Sequence, residues 1–140
     1  MNAYTVVFIG HRDSDHSADK ALEETSLELI RLGYCRFLSG GMGEFDLACE
    51  AIIRRLKLSY PHISLCLMLN APSSKVPEGY DEIILPEQIH PELKSVSIPV
   101  RNKLMVQSAS AAICYVKRMS GGAYSTYKTA LREALMVYCV

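Results

Sequence analysis

The chain alternates short, continuous apolar runs with longer amphipathic stretches. Thr5-Val6-Val7-Phe8-Ile9 is a β-branched run ended by Gly10, the pattern of a strand buried on both faces. From Ser17 the period changes: Ala18, Ala21, Leu22, Leu29, Ile30 and Leu32 recur at near-helical spacing, and Gly33 stands where a helix C-terminal cap belongs. Cys35-Arg36-Phe37-Leu38 predicts a second strand, and Phe45, Cys49, Ile52, Ile53 and Leu56 form the apolar stripe of a second helix. His62 to Leu69 predicts a third strand, Asn70 to Gly79 a polar loop, and Glu82-Ile83-Ile84-Leu85 a short fourth strand. Pro86 to Ser97 has no clear period, and Pro99 suits the first turn of a helix running through Leu104 to Ser108. Ala112-Ile113-Cys114-Tyr115-Val116 predicts the last core strand. Tyr127, Ala130, Leu131, Ala134 and Val137 then predict a closing helix, whose apolar end, Met136-Val137-Tyr138-Cys139-Val140, either joins the core or offers an interface for a homo-oligomer.

Strands alternating with helices imply βαβ units and a sheet covered on both faces. The expected fold class is α/β, a Rossmann-like three-layer sandwich with a mostly parallel sheet, formed by residues 1–140 as one domain. Composition changes little in that picture. Fifteen basic residues balance fifteen acidic ones, so no electrostatic footprint for nucleic acid or an anionic membrane is written into the chain. The five cysteines (Cys35, Cys49, Cys66, Cys114 and Cys139) are odd in number and lack C-x-x-C spacing, which points to a reducing compartment. His16, His62 and His90 lack metal-ligand spacing, and no metal or cofactor is expected. Met1 to Thr5 enters a strand pattern without a basic leader, and no apolar run approaches the roughly 20 residues of a membrane span. The expected location is cytoplasmic.

In a parallel sheet, ligands bind beyond the carboxyl ends of the strands. Four strand ends run into polar or glycine-rich loops: Gly10-His11-Arg12-Asp13, Ser39 to Asp46, Asn70 to Ser74, and Lys117 to Thr126. In Ser39-Gly40-Gly41-Met42-Gly43, three glycines at a strand-to-helix junction let backbone approach a ligand and point N–H groups at an anion. A tight turn needs the same glycines. The spacing is neither G-x-G-x-x-G nor G-x-x-x-x-G-K-[ST]. Glu44 and Asp46 in the following first turn repel phosphate but accept hydrogen bonds from ribose, or simply cap the helix.

Ser120-Gly121-Gly122 is the better phosphate site. Ser125 and Thr126 add hydroxyls or an N-cap, Lys117 and Arg118 lie upstream, and no acid follows until Glu133. Arg101 and Asn102 open a helix whose dipole disfavours a cation, which suggests that Arg101 pairs with an anion or with Glu44. His11 is a candidate acid or base, or a local hydrogen-bonding group.

Val7-Phe8-Ile9-Gly10-His11-Arg12, then Ser39-Gly40-Gly41-Met42-Gly43-Glu44-Phe45-Asp46, then Arg101-Asn102, then Ser120-Gly121-Gly122 with Ser125-Thr126, resembles in this order the SLOG superfamily. That group includes the LOG-type (lysine-decarboxylase-like) phosphoribohydrolases, the DprA/Smf proteins and the YpsA-like proteins, of which the YpsA-like branch is the most similar. The resemblance implies a Rossmann-like fold that binds nucleotides or nucleotide-derived molecules at the two glycine loops. In the phosphoribohydrolases a Pro-Gly-Gly-x-Gly-Thr-x-x-Glu motif supplies a glutamate that works with an arginine. Arg101 stands for that arginine here, but the glutamate position falls on Lys128 or Thr129.

The expected function is therefore the binding or sensing of a nucleotide-like small molecule, ADP-ribose-like or a nucleoside phosphate, the missing glutamate weighing against catalysis. Hydrolysis of a nucleoside 5′-monophosphate by Glu44 or Asp46 with Arg101 is the alternative, and DprA-like binding of single-stranded DNA ranks last.

Overall fold

The computed structural model describes residues 4–90 and 92–140; Met1 to Ala3 of the amino-terminal reading and Pro91 of the aperiodic segment lie outside them. The elements are β1 (Thr5–Gly10), α1 (Asp19–Arg31), β2 (Arg36–Ser39), α2 (Glu44–Lys57), β3 (Ser64–Met68), β4 (Glu82–Ile84), α3 (Ser97–Gln107), β5 (Ala111–Tyr115), α4 (Gly121–Arg132) and β6 (Met136–Cys139). A 3₁₀ turn, Lys94–Val96, leads into α3. The strands form one six-stranded sheet in the order β4-β3-β2-β1-β5-β6, with every pairing parallel. The α/β sandwich expected from the alternating pattern is the fold observed.

The period of two along each strand sorts side chains between the two faces. Val6, Phe8, Phe37, Leu65 and Ile113 pack with Leu22 and Leu29 of α1 and with Phe45, Ile52 and Ile53 of α2. Val7, Ile9, Leu38, Met68 and Cys114 pack with Met105 and Val106 of α3 and Ala130 of α4. Each large apolar side chain so buried contributes about 1.5–3 kcal/mol relative to exposure. Among the described residues no helix is long and apolar enough to cross a membrane.

The carboxyl-terminal segment departs from its expected form. The helix stops at Arg132, the chain reverses through Ala134 at φ 59, and Met136–Cys139 becomes a sixth strand paired with Ala111–Cys114. Ala134 and Val137 fall at helical spacing from Tyr127 by coincidence, while the run Met136 to Val140 carries the β-branched and aromatic content of a strand. The apolar helix end considered as an oligomer interface is therefore an edge strand, whose Val137 and Tyr138 pack against the two core clusters.

One close approach sets the geometry at the head of the sheet. Gly10, the last residue of β1, lies under the ring of Phe45, and a Cβ there would sit 2.1 Å from a ring carbon. Phe45 in turn stacks on Tyr115, with centroids 5.7 Å apart. Gly10→Ala is expected to cost about 2 kcal/mol through overpacking. A urea-denaturation midpoint equal to that of the unsubstituted protein would show instead that Phe45 can withdraw.

Candidate functional site

Strand order reverses between β1 and β5, so the loops leaving these two strands diverge and open a crevice. The β1 loop, the turn after β2, the first turns of α3 and the start of α4 enclose a cleft of about 290 Å³ there. Its walls bring together Gly10, His11, Arg12, Gly40 and Asp46 with Arg101, Asn102, Gly121, Gly122 and Thr126. Ser39, Gly41, Gly43, Glu44 and Ser125 do not line it.

The two glycine loops differ in what their backbone has left to offer. α4 begins at Gly121 behind an extended Ser120 that makes no side-chain cap. Ser120, rather than Ser125 or Thr126, thus holds the N-cap position. The Thr126 hydroxyl instead donates back to the Gly122 carbonyl at 2.8 Å. A Cβ at Gly121 or Gly122 would meet nothing within 4 Å, so this helix start faces open space. Backbone N–H groups and the positive end of the helix dipole suit an anion. Arg118 stands on the same wall, held by the Asp13 carboxylate at 3.1 and 3.3 Å. Lys117 turns away, its Nζ donating to the Val140 carbonyl at 2.8 Å.

The first glycine turn is closed by its own chain. The Gly41 N–H donates to Ser39 Oγ at 3.0 Å, the Met42 N–H to Asp46 Oδ2 at 3.0 Å, and the Glu44 N–H to the Arg12 carbonyl at 2.9 Å. Gly43, at φ +89, is crowded by Arg12, whose Cα would lie 2.5 Å from a Cβ. Here the glycines let the β1 loop pass close by, and the Gly41, Met42 and Glu44 N–H groups are taken up by the chain itself.

Arg101, only 3 % exposed, is the cleft's buried cation. Its Nη1 donates to the carbonyls of Gly40 at 2.9 Å and Met68 at 3.1 Å, and its Nε to Asn102 Oδ1 at 2.9 Å. Its acidic neighbour is Asp46, not Glu44. Burial pushes the Asp46 carboxyl from an ordinary 3.8 up to about 7, against the pull of the Met42 N–H and of the Arg101 and Arg12 charges. Glu44 turns outward to His16, 3.4 Å away, so of the two acids only Asp46 belongs to the cleft. His11 is buried; burial first, then the Arg118 charge, lowers its pKa. Its Nε2 accepts the Lys117 N–H at 2.9 Å, which docks the β1 loop to the β5 loop and occupies the atom a general base needs.

The chain is similar in fold to DNA processing protein A. The structure of that protein from Streptococcus pneumoniae matches with a TM-score of 0.68 and 19% identity, over 96% of this chain and 49% of that one. DNA processing protein A from Helicobacter pylori, studied for its single-stranded DNA binding mode, matches with a TM-score of 0.69 and 15% identity, over 96% of this chain and 64% of the other. TM1055, a structural-genomics target, matches with a TM-score of 0.63 and 12% identity, over 98% of this chain and 72% of that protein. The chain thus spans about half of the first protein's length, and the likeness is one of fold. DNA processing protein A belongs to a group named by the motif resemblance, so fold and motifs agree at that coarse level. No family model matches the chain, and no curated protein matches its sequence.

Sequence reasoning passed over two participants. Met42 lines the cleft with its sulfur 3.5 Å from guanidinium nitrogens of both Arg12 and Arg101. Glu50 is 1 % exposed and lies one helical turn beyond Asp46. Its signal was an acid at helical spacing beside the apolar stripe of α2, a position where an unpaired charge is costly.

Proposed function

We propose that this chain binds or senses a nucleotide-derived, phosphate-bearing ligand, an ADP-ribose-like molecule or a nucleoside phosphate, at the carboxyl edge of its sheet. One observation carries the reading: the uncapped start of α4 opens on the same cleft as the guanidinium groups of Arg12, Arg101 and Arg118. With Arg118 paired to Asp13, Arg12 and Arg101 against Asp46 leave a positive balance that favours an anion. In this reading the phosphates rest on Gly121 and Gly122, Asp46 accepts from ribose hydroxyls, and the base lies toward Ile98 and Met105. The YpsA-like branch is the relative whose motifs this arrangement suits.

Titration calorimetry with ADP-ribose, NAD, AMP, CMP and GMP tests the proposal. Saturable binding of at least one of them, lost in Gly122→Asp, is the expected outcome; no heat from any of the five would overturn it.

A second reading has one observation in its favour. A carboxyl held near about 7 in a cleft is suited to give a proton to a leaving base, so Asp46 with Arg101 could split a nucleoside 5′-monophosphate at its glycosidic bond. Chromatography of the AMP, CMP and GMP incubations decides: free base favours hydrolysis, and intact nucleotide favours binding alone. For single-stranded DNA the support is the fold of DNA processing protein A, against a neutral overall charge. Retention of an oligonucleotide on a filter at low salt would favour it.

A further inference from the structure

Beneath the first glycine turn lies a buried polar cluster that the ligand reading leaves unused. Glu50 Oε2 accepts from Ser39 Oγ at 2.6 Å, and Oε1 accepts from the Tyr80 hydroxyl at 2.7 Å. Arg54 stands 3.8 Å from Oε1, lies over the Tyr80 ring at 4.9 Å, and donates from Nε to the Gly79 carbonyl at 2.9 Å. Ser39 passes the contact on, since its Oγ accepts the Gly41 N–H. One helical turn back, Asp46 accepts the neighbouring Met42 N–H. Two acids on successive turns of α2 therefore hold one turn, Asp46 by accepting the Met42 N–H and Glu50 through Ser39, whose Oγ accepts the Gly41 N–H, and that turn carries Met42 against Arg12 and Arg101.

We propose that Glu50 is the positioning residue of this cleft: through Ser39 it fixes the Gly41–Met42 backbone that holds Met42 against Arg12 and Arg101. The inference rests on the binding reading above only for its consequence on ligand affinity.

The two buried carboxyls of α2 differ in the partners the fold gives them. Glu50 has two hydroxyl donors and a nearby guanidinium. Asp46 has one backbone N–H. The charged and titratable groups facing Asp46 are Arg12 from the β1 loop, Arg101 from α3, and Glu50 and Cys49 from α2. The arginines favour its ionised form, while Glu50 opposes it. Glu50 thus shapes the turn, while burial first, and Glu50 only in addition, raises the Asp46 carboxyl.

The experiment compares the unsubstituted chain with Glu50→Gln and Ser39→Ala. The Asp46 carboxyl is titrated by carbon NMR, and ADP-ribose affinity is measured by calorimetry from pH 6 to 8. The pyrophosphate of ADP-ribose does not titrate in that range, so any pH dependence belongs to the protein. In Glu50→Gln the Gly41 and Met42 amide resonances are expected to shift and ADP-ribose affinity to drop, and the Asp46 midpoint falls as the like charge disappears. Ser39→Ala removes both contacts of the hydroxyl, to Glu50 and from the Gly41 N–H, and affinity is expected to drop at least about fivefold. Gly41 and Met42 amide resonances and affinity all unmoved in Glu50→Gln would overturn the proposal. If Glu50→Gln does not fold, Ser39→Ala decides, and unchanged affinity overturns it. Failure of the unsubstituted chain to bind ADP-ribose or any nucleotide is a different result: it removes the ligand reading, while the Gly41 and Met42 amide resonances still judge Glu50.

Discussion

Replacing Asp46 by Asn is expected to make the protein more stable at pH 8 and a weaker binder. The carboxyl is buried, and burial raises it from 3.8 to about 7 despite the Met42 N–H and the Arg101 charge. An acid whose folded value lies above its unfolded value keeps its proton in the folded state while the unfolded chain releases it. Stability therefore falls as pH rises from about 4 to about 7, and stays reduced above that. Roughly three pK units correspond to about 4 kcal/mol, an upper bound for this one group. Asn keeps an oxygen for the Met42 N–H and removes the charge. Denaturation curves of the two proteins should nearly coincide around pH 4 and separate progressively towards pH 8, with Asp46→Asn the more stable. Equal stability at pH 8 would mean that the carboxylate is solvated after all.

The same substitution removes the acceptor proposed for ribose hydroxyls. Hydrogen bonds to a charged group are worth about 1.5–3 kcal/mol, so ADP-ribose affinity should fall by about tenfold or more. A stabilised fold with a weakened site marks a residue kept for its chemistry at the expense of stability.

What the sequence revealed and what it concealed follow from the range of each interaction. Strands buried on both faces show as continuous apolar runs, so β1, β2, β3 and β5 were legible, and with them the strand ends that build the cleft. β6 was not, because a short edge strand and the tail of an amphipathic helix share one apolar pattern over five residues. The glycine loops were legible as close-approach points, but not which of them had N–H groups to spare. That depends on Ser39, Asp46 and Arg12 folding back onto the first turn. Glu44 and Asp46 look alike in sequence, yet the phase of α2 turns one out to His16 and buries the other. Arg101 was expected in the first turn of a helix, but α3 begins at Ser97 and places it past that turn. Its reward lies in the carbonyls of Gly40 and Met68, which only the folded sheet brings near.

Gly122→Asp separates ligand binding from folding in the opposite way. The site is open, with nothing within 4 Å of a Cβ, so the side chain enters without a clash. A carboxylate in the first turn of α4 answers the helix dipole, worth about 0.3–1 kcal/mol, and a residue other than glycine also favours the helix. Stability should hold or rise slightly. Binding should not survive, because the new charge occupies the helix start and repels the phosphates; like-charge juxtaposition costs several kcal/mol, or about a hundredfold in affinity. Gly122→Ala is the control, adding bulk without charge, and should keep affinity within a few-fold of the original. If calorimetry finds ADP-ribose bound equally by Gly122→Asp and the unsubstituted chain, the phosphates do not rest on α4. Gly41→Asp gives the contrast: at φ +68, and with a Cβ 2.7 Å from Leu67, it breaks the turn itself. There a loss of binding would come with a loss of stability, which is how a structural glycine differs from one that faces the ligand.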